Sequence, residues 1–164
     1  MAEYKSVIIW SREGAVFTDN RYSRGHRWWF DGGVEVPASA SPHVVPAPFS
    51  VAAAVDPEEA FVASLSSCHM LWFLSIAAGR GFVVESYRDE AIGIMGKDAA
   101  GALAMLRVTL RPEIVFGAGR RPTADEMAAM HDESHEKCYI ANSVKTELRC
   151  EPAGTHLSEP RVEP

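Results

Sequence analysis

Residues 56–81 read Asp56-Pro-Glu-Glu-Ala60-Phe-Val-Ala-Ser-Leu65-Ser-Ser-Cys-His-Met70-Leu-Trp-Phe-Leu-Ser75-Ile-Ala-Ala-Gly-Arg80-Gly. Asp56 is an N-cap residue, Pro57 suits the first helical position and Glu59 completes a capping box. The spacing predicts a helix to about Ala78, stopped at Gly79-Arg80-Gly81. Such a helix is about 33 Å long, the width of a small domain, so it has to be the central spine. Ala60–Ala78 carries no charged side chain. That length approaches a bilayer span, but four serines, a cysteine and a histidine dilute it. A helix apolar on every side also fits a buried core or a subunit interface. The flanking chain reads as strands, which favours that second reading.

Outward from the helix, Lys5–Ser11 predicts a strand, and Arg21–Val36 a second one bent at Gly32-Gly33. Pro37–Val55 is a long Pro/Ala/Ser-rich loop, and loops of that length are often functional. After the helix come two long strands, Val83–Met95 and Ala104–Phe116, joined through Gly96–Gly101. In the second, Leu106, Val108 and Leu110 alternate with Arg107, Thr109 and Arg111, the pattern of a half-buried antiparallel strand. Thr123 and Glu126 form a second capping box for a helix to about Lys137, and Val144–Glu151 is a last strand. Runs of strands separated by single helices predict an α+β fold. Residues 1–152 are expected to form one domain and 153–164 a flexible C-terminal tail. The central helix holds more apolar surface than one sheet can cover, which predicts a homodimer.

The 164 residues are 47% hydrophobic and 23% charged, with net charge −6. That balance is ordinary for a soluble globular chain and gives no basic surface for nucleic acid or an acidic membrane. Three widely spaced cysteines do not read as a secreted disulfide framework, and the first residues lack the pattern of a signal peptide. A reducing, cytoplasmic setting is the expectation, where cysteines are more often catalytic or metal-binding than structural.

Cys68 lies mid-helix. A lone buried cysteine is usually a small hydrophobe, but Cys138 follows the inward stripe Met127, Met130, His131, Ser134 of the second helix. Two inward cysteines on the two helices can meet. Cys150 shares its face with core residues and reads as packing. His131, His135 and Cys138, with Cys68, form a rival tetrahedral zinc set, although His135 tilts off the inward stripe. His69 projects about 100° away from Cys68 and reads as a polar interface residue. His26, Trp28 and Trp29 read as core or dimer contact, or as the lining of a pocket.

Asp56-Pro-Glu-Glu, then Cys68-His69 on a long helix, resembles the OsmC/Ohr family of osmotically inducible and organic hydroperoxide resistance proteins. Glu58 stands ten residues before Cys68, as the family's glutamate does before its peroxidatic cysteine. His135-Glu-Lys-Cys138-Tyr-Ile-Ala-Asn-Ser-Val resembles the family's second cysteine motif. The resemblance covers roughly Tyr4 to Cys150 and includes the order of elements. It implies antiparallel sheets wrapped around long central helices in an intertwined homodimer. It also implies a thiol peroxidase with an arginine from the second strand beside the reactive cysteine. Arg24 is similar in place, flanked by Arg21 and Arg27. Two features depart from the family pattern. Tyr139 follows Cys138 where proline is common, and the 37–55 loop is longer.

The implied chemistry is coherent. A thiol at its usual pKa of ~8.5 is only a few per cent thiolate at pH 7, and a guanidinium beside it raises that fraction. Cys68 is then expected to attack a hydroperoxide and become a sulfenic acid, and Cys138 to condense with it to a disulfide. An external dithiol reduces the disulfide, and no cofactor or metal is called for. Glu58 would orient Arg24 through a bidentate pair. It cannot touch Cys68 within one straight helix, because ten residues rise about 15 Å. Arg24 must bridge the gap, or Glu58 must turn back, or the site is shared between subunits. Otherwise Glu58 simply complements the helix dipole. The predicted function is an organic hydroperoxide reductase of the stress-response type, with Cys68, Cys138, Arg24 and Glu58 as site residues. The alternatives are a non-enzymatic OsmC-like small-ligand-binding protein and a His/Cys zinc protein.

Overall fold

The predicted capping boxes both form. Glu59 N–H donates to Asp56 Oδ1 at 2.7 Å and Asp56 N–H to Glu59 Oε2 at 3.2 Å, which starts helix α1, Pro57–Gly79. Thr123 and Glu126 exchange the same pair of bonds at the head of α2, Ala124–Lys137. The computed structural model of the chain describes residues 1–157. The fold is α+β, with strands before, between and after the two helices. The chain forms two compact units, Met1–Phe61 and a second from Val62 onward, where the sequence predicts one.

In the first unit, β1 (Ser6–Ile9), β2 (His26–Phe30) and β3 (Glu35–Ala38) make an antiparallel sheet. The stretch predicted as one bent strand is a hairpin. Gly33 takes φ +81°, and Phe30 N–H bonds to Val34 O at 3.0 Å, so the chain reverses instead of bending. The long loop is pinned back on β3 by Ser39 N–H to Val55 O and Val55 N–H to Pro37 O, both 3.0 Å. Val51 N–H also donates to Ser39 Oγ at 2.9 Å.

In the second unit, each of the two long predicted strands divides in two: β4 (Val84–Asp89), β5 (Ile92–Lys97), β6 (Leu103–Leu110) and β7 (Pro112–Phe116). β5 pairs with β6 in one sheet and β4 with β7 in another. Strands that switch sheets turn a corner, and backbone groups at the corner lose their ladder partners. Asp89 supplies one: its Oδ1 accepts Arg111 N–H at 2.6 Å, while Oδ2 accepts the Ser66 hydroxyl of α1 at 2.5 Å. Pro112, with no N–H to satisfy, fits the restart of the strand. A Cβ on Gly93 of β5 would stand 2.6 Å from Val62 Cγ2, so glycine there admits α1 close to the sheet.

After α2, a short 3-10 turn (Ala141–Ser143) leads into β8 (Glu147–Cys150). β8 joins β6 in parallel rather than antiparallel register, and β9 (Gly154–Leu157) joins β7 likewise. The chain after 152 therefore begins with a paired strand and not with a loose tail. The rest of that predicted tail, 158–164, lies outside the described residues. The core of the second unit joins α1, α2 and the β4–β7 sheet through Phe73, Ile76, Phe82, Ile114, Phe116 and Met130. α1 is long and apolar enough to cross a membrane by length and composition alone, yet it buries Leu65, His69, Phe73, Ile76 and Ala77 within the fold.

Candidate functional site

The inward stripe of α2 falls where the sequence places it: Met130, His131, Ser134 and Cys138 are buried, and His135 is exposed. α2 ends at Lys137, so Cys138 is its C-cap. There its thiol shares a hydrogen bond with the thiol of Cys68. The two cysteines differ in surroundings. Cys138 is fully buried, and Cys68 is partly exposed on α1. Burial pushes the Cys138 thiol up to about 11, and the bond to Cys68 pushes the same way. Backbone N–H groups of Ala141, at 3.4 Å from Sγ, and of Ile140 oppose this without overcoming it. Cys138 is thus held as a neutral thiol. Tyr139 stacks edge-on to Trp72, one turn beyond Cys68, with ring centres 5.5 Å apart.

In the first unit, Arg24 is committed locally. Its guanidinium donates to Asn20 O at 3.0 Å, Asn20 Oδ1 at 2.6 Å and Tyr22 O at 2.5 Å, and lies 3.8 Å from the centre of the Tyr22 ring. The bidentate pair with Glu58 predicted from the sequence is not formed among the described residues, because Asn20 and Tyr22 occupy the fork. Glu58 instead holds Oε2 buried without a hydrogen-bond partner. Trp28 Nε1–H donates to His26 Nε2 at 2.9 Å, and His26 Nδ1 faces Arg24 O at 2.8 Å. Indole is a donor only, so His26 carries its proton on Nδ1 and anchors the Arg24 backbone. Arg27 pairs with Glu35 across β2 and β3 at 3.1 Å.

The zinc set predicted from the sequence does not assemble: Cys68 and Cys138 face one another, and His135 points out. His131 turns instead to two residues that the sequence reading assigned to other roles. His69 Nε2 lies 3.1 Å from His131 Nδ1, and Cys150 Sγ lies 3.5 Å from His131 Nδ1 and 3.9 Å from His69 Nε2. His69 is fully buried and His131 nearly so. Burial brings His69 down to about 4, helped by the charges of His131 and His135. Burial brings His131 to about 4 as well, against Asp132 and Asp89. Both rings are neutral. Burial also pushes Cys150 up to about 12, with Asp89, Asp132 and Glu151 adding to it. Cys150 therefore faces the two imidazoles, and His69 is an interior residue rather than one at an interface. Two signals pointed there. His69 sits on the i, i+4, i+8 stripe with Leu65 and Phe73, and Cys150 lies two residues beyond Leu148, on the same strand face.

The sequence profile of the family described as OsmC-like protein matches residues 50–152. The chain belongs to that family. An OsmC-like protein of unknown function from Vibrio cholerae is 53% identical, with TM-score 0.88 over 96% of this chain and 99% of that one. The organic hydroperoxide resistance protein of Elizabethkingia anophelis is 13% identical, with TM-score 0.68 over 96% of this chain and 98% of that one. That of Bacillus subtilis is 16% identical, with TM-score 0.58 over 96% and 98%. At those identities the last two share the OsmC-like fold. No curated protein matches this OsmC-like chain.

Proposed function

We propose that this OsmC-like chain is a cytoplasmic, thiol-dependent peroxidase acting on organic hydroperoxides, with Cys68 as nucleophile and Cys138 as resolver. The observation that carries the reading is the thiol–thiol contact of Cys68 and Cys138, asymmetric in burial. The more exposed sulfur meets the peroxide, and the buried one waits beside it. The Cys68 thiolate attacks the distal peroxide oxygen and breaks the O–O bond. An alcohol leaves once its alkoxide is protonated, and Cys68 becomes a sulfenic acid. The Cys138 sulfur then displaces the sulfenic hydroxyl, forming the disulfide and releasing water. An external dithiol returns both cysteines to thiols and is itself oxidised to a disulfide. The exposed apolar strand residues Val7, Ile8 and Ile9, and Leu71 on α1, support the homodimer that the family resemblance implies. Arg24 and Glu58 carry the activating role on that resemblance.

Tert-butyl hydroperoxide with a dithiol tests this. The wild type turns over and, without reductant, accumulates a Cys68–Cys138 disulfide while Cys150 stays free. Cys68→Ser abolishes turnover, and Cys138→Ser stops after one oxidation, at sulfenic acid. Peptide mapping that joins Cys150 to either partner, or finds no disulfide, would overturn the two-cysteine cycle.

A further inference from the structure

Cys68 and Cys138 leave a second cluster unused. His69 on α1, His131 on α2 and Cys150 at the end of β8 come from three elements far apart in sequence. Their ligand atoms nevertheless lie within 4.8 Å of one another. Three side chains that can each donate a lone pair, gathered in a buried site, form an uncommon combination for a core. A neutral imidazole has one hydrogen, so the pair can bridge its facing nitrogens with only one N–H···N bond. The outer nitrogens, His69 Nδ1 and His131 Nε2, are buried and have no hydrogen-bond partner. The pair thus contributes less to packing than two apolar residues of equal volume would.

We propose that His69 Nε2, His131 Nδ1 and Cys150 Sγ form a binding site for a zinc-class divalent cation. The distances are those of one face of a tetrahedron. Zinc bonds of ~2.0–2.1 Å to nitrogen and ~2.3 Å to sulfur put two nitrogens about 3.4 Å apart and a nitrogen about 3.6 Å from the sulfur. The three separations are 3.1, 3.5 and 3.9 Å. The rings lie within 11° of parallel, and the 3.1 Å between their facing nitrogens leaves room for one shared hydrogen. The cation takes that hydrogen's place, and each ring turns to aim its lone pair at the metal. The imidazole hydrogens move to the two outer nitrogens, and Cys150 releases one proton to solvent. Two neutral imidazoles and one thiolate suit zinc better than the hard cations, which prefer oxygen. One position remains open. Phe73 packs its ring 4.6 Å from His131 and 5.7 Å from Tyr87, and the buried Tyr87 hydroxyl has no partner. Cys150, only partly buried, marks the side of entry.

The site is independent of the peroxidase reading, and its test is made so. The probe is cobalt(II) alone, added to the reduced full-length protein, followed by displacement with zinc. The decisive protein is the double variant Cys68→Ser/Cys138→Ser, in which Cys150 is the last of the three cysteines. It should bind one equivalent, with the charge-transfer band of a cobalt–thiolate and the intense visible bands of four-coordinate cobalt. Zinc should bleach both. Cys150→Ser should lose the charge-transfer band, and His69→Gln or His131→Gln should weaken binding at least tenfold. If Cys150→Ser does not fold, the double variant still decides, because only Cys150 can then supply a thiolate. A double variant that gives no thiolate band, or a band in the wild type that survives Cys150→Ser, overturns the proposal.

Discussion

The ionisation of Cys138 can be followed directly. Burial first, and the bond to Cys68 second, move this thiol from about 9 to about 11. At pH 8 an ordinary thiol near 9 is about one-tenth thiolate, whereas one near 11 is about one-thousandth, so alkylation should be roughly a hundredfold slower. Iodoacetamide labelling resolved by peptide mass spectrometry gives each cysteine its own pH profile. Steric shielding lowers the whole curve but does not move its midpoint, so the midpoint is the quantity to read. For Cys138 the rate should still be climbing at pH 10. In Cys68→Ala the second cause disappears and the first remains, so the midpoint should fall yet stay above that of an ordinary thiol. The sign for stability follows from the raised native value. The contribution is complete below pH 9 and is lost as pH rises towards 11, because the unfolded chain gives up the proton first. A Cys138 midpoint below 9 in the wild type would refute the account of a buried, neutral thiol.

Arg24→Lys keeps the charge but loses the planar fork that now engages Asn20 and Tyr22. Peroxidase rate should drop at least tenfold, with Arg21→Lys and Arg27→Lys changing it little; a crippling Arg27→Lys would move the activating role three residues along. Asp89→Ala removes the acceptor for both Arg111 N–H and the Ser66 hydroxyl at the corner of the sheets. It should cost about 2–4 kcal/mol in urea unfolding, and Ser66→Ala about 1 kcal/mol; equal costs would mean that the Arg111 bond contributes nothing. The chain should sediment as a homodimer, and its melting temperature should rise with protein concentration. A concentration-independent melt with a monomer mass would refute the dimer.

What the sequence made legible was whatever depends on neighbours along the chain. Capping boxes act over three residues, so Asp56/Glu59 and Thr123/Glu126 placed both helix starts. The inward stripe repeats every turn, so Cys138 could be assigned to the interior. Sheet-switching was not legible, because Val83–Met95 and Ala104–Phe116 keep strand-like composition through the corner. Only the Asp89 carboxylate, reaching 22 residues to Arg111, marks the break. The hairpin at Gly33 was misread as a bend because two glycines permit either. What faces the third cysteine was not legible for a different reason. Periodicity shows which face Cys150 occupies but not what lies across from it, and the parallel pairing of β8 on β6 brings it to His131.

The two clusters stand on adjacent residues of α1. Cys68 and His69 are consecutive, so their Cα atoms are about 3.8 Å apart and their side chains diverge by about 100°. Their partners on α2, Cys138 and His131, are seven residues apart, about 10.5 Å along that helix. Cys68 thus reaches the C-cap of α2 and His69 the middle of that helix. That separation along α2 also sorts the cysteines. The thiol of Cys150 lies at His131, 3.5 Å from Nδ1, while that of Cys138 sits against Cys68. Oxidation can therefore join Cys68 to Cys138 without drawing in the third thiol, and a cation held at Cys150 would leave that pair free. Zinc should therefore protect Cys150 from alkylation without slowing formation of the Cys68–Cys138 disulfide. If zinc blocked the disulfide, the two sites would share a cysteine, and this sorting would fail.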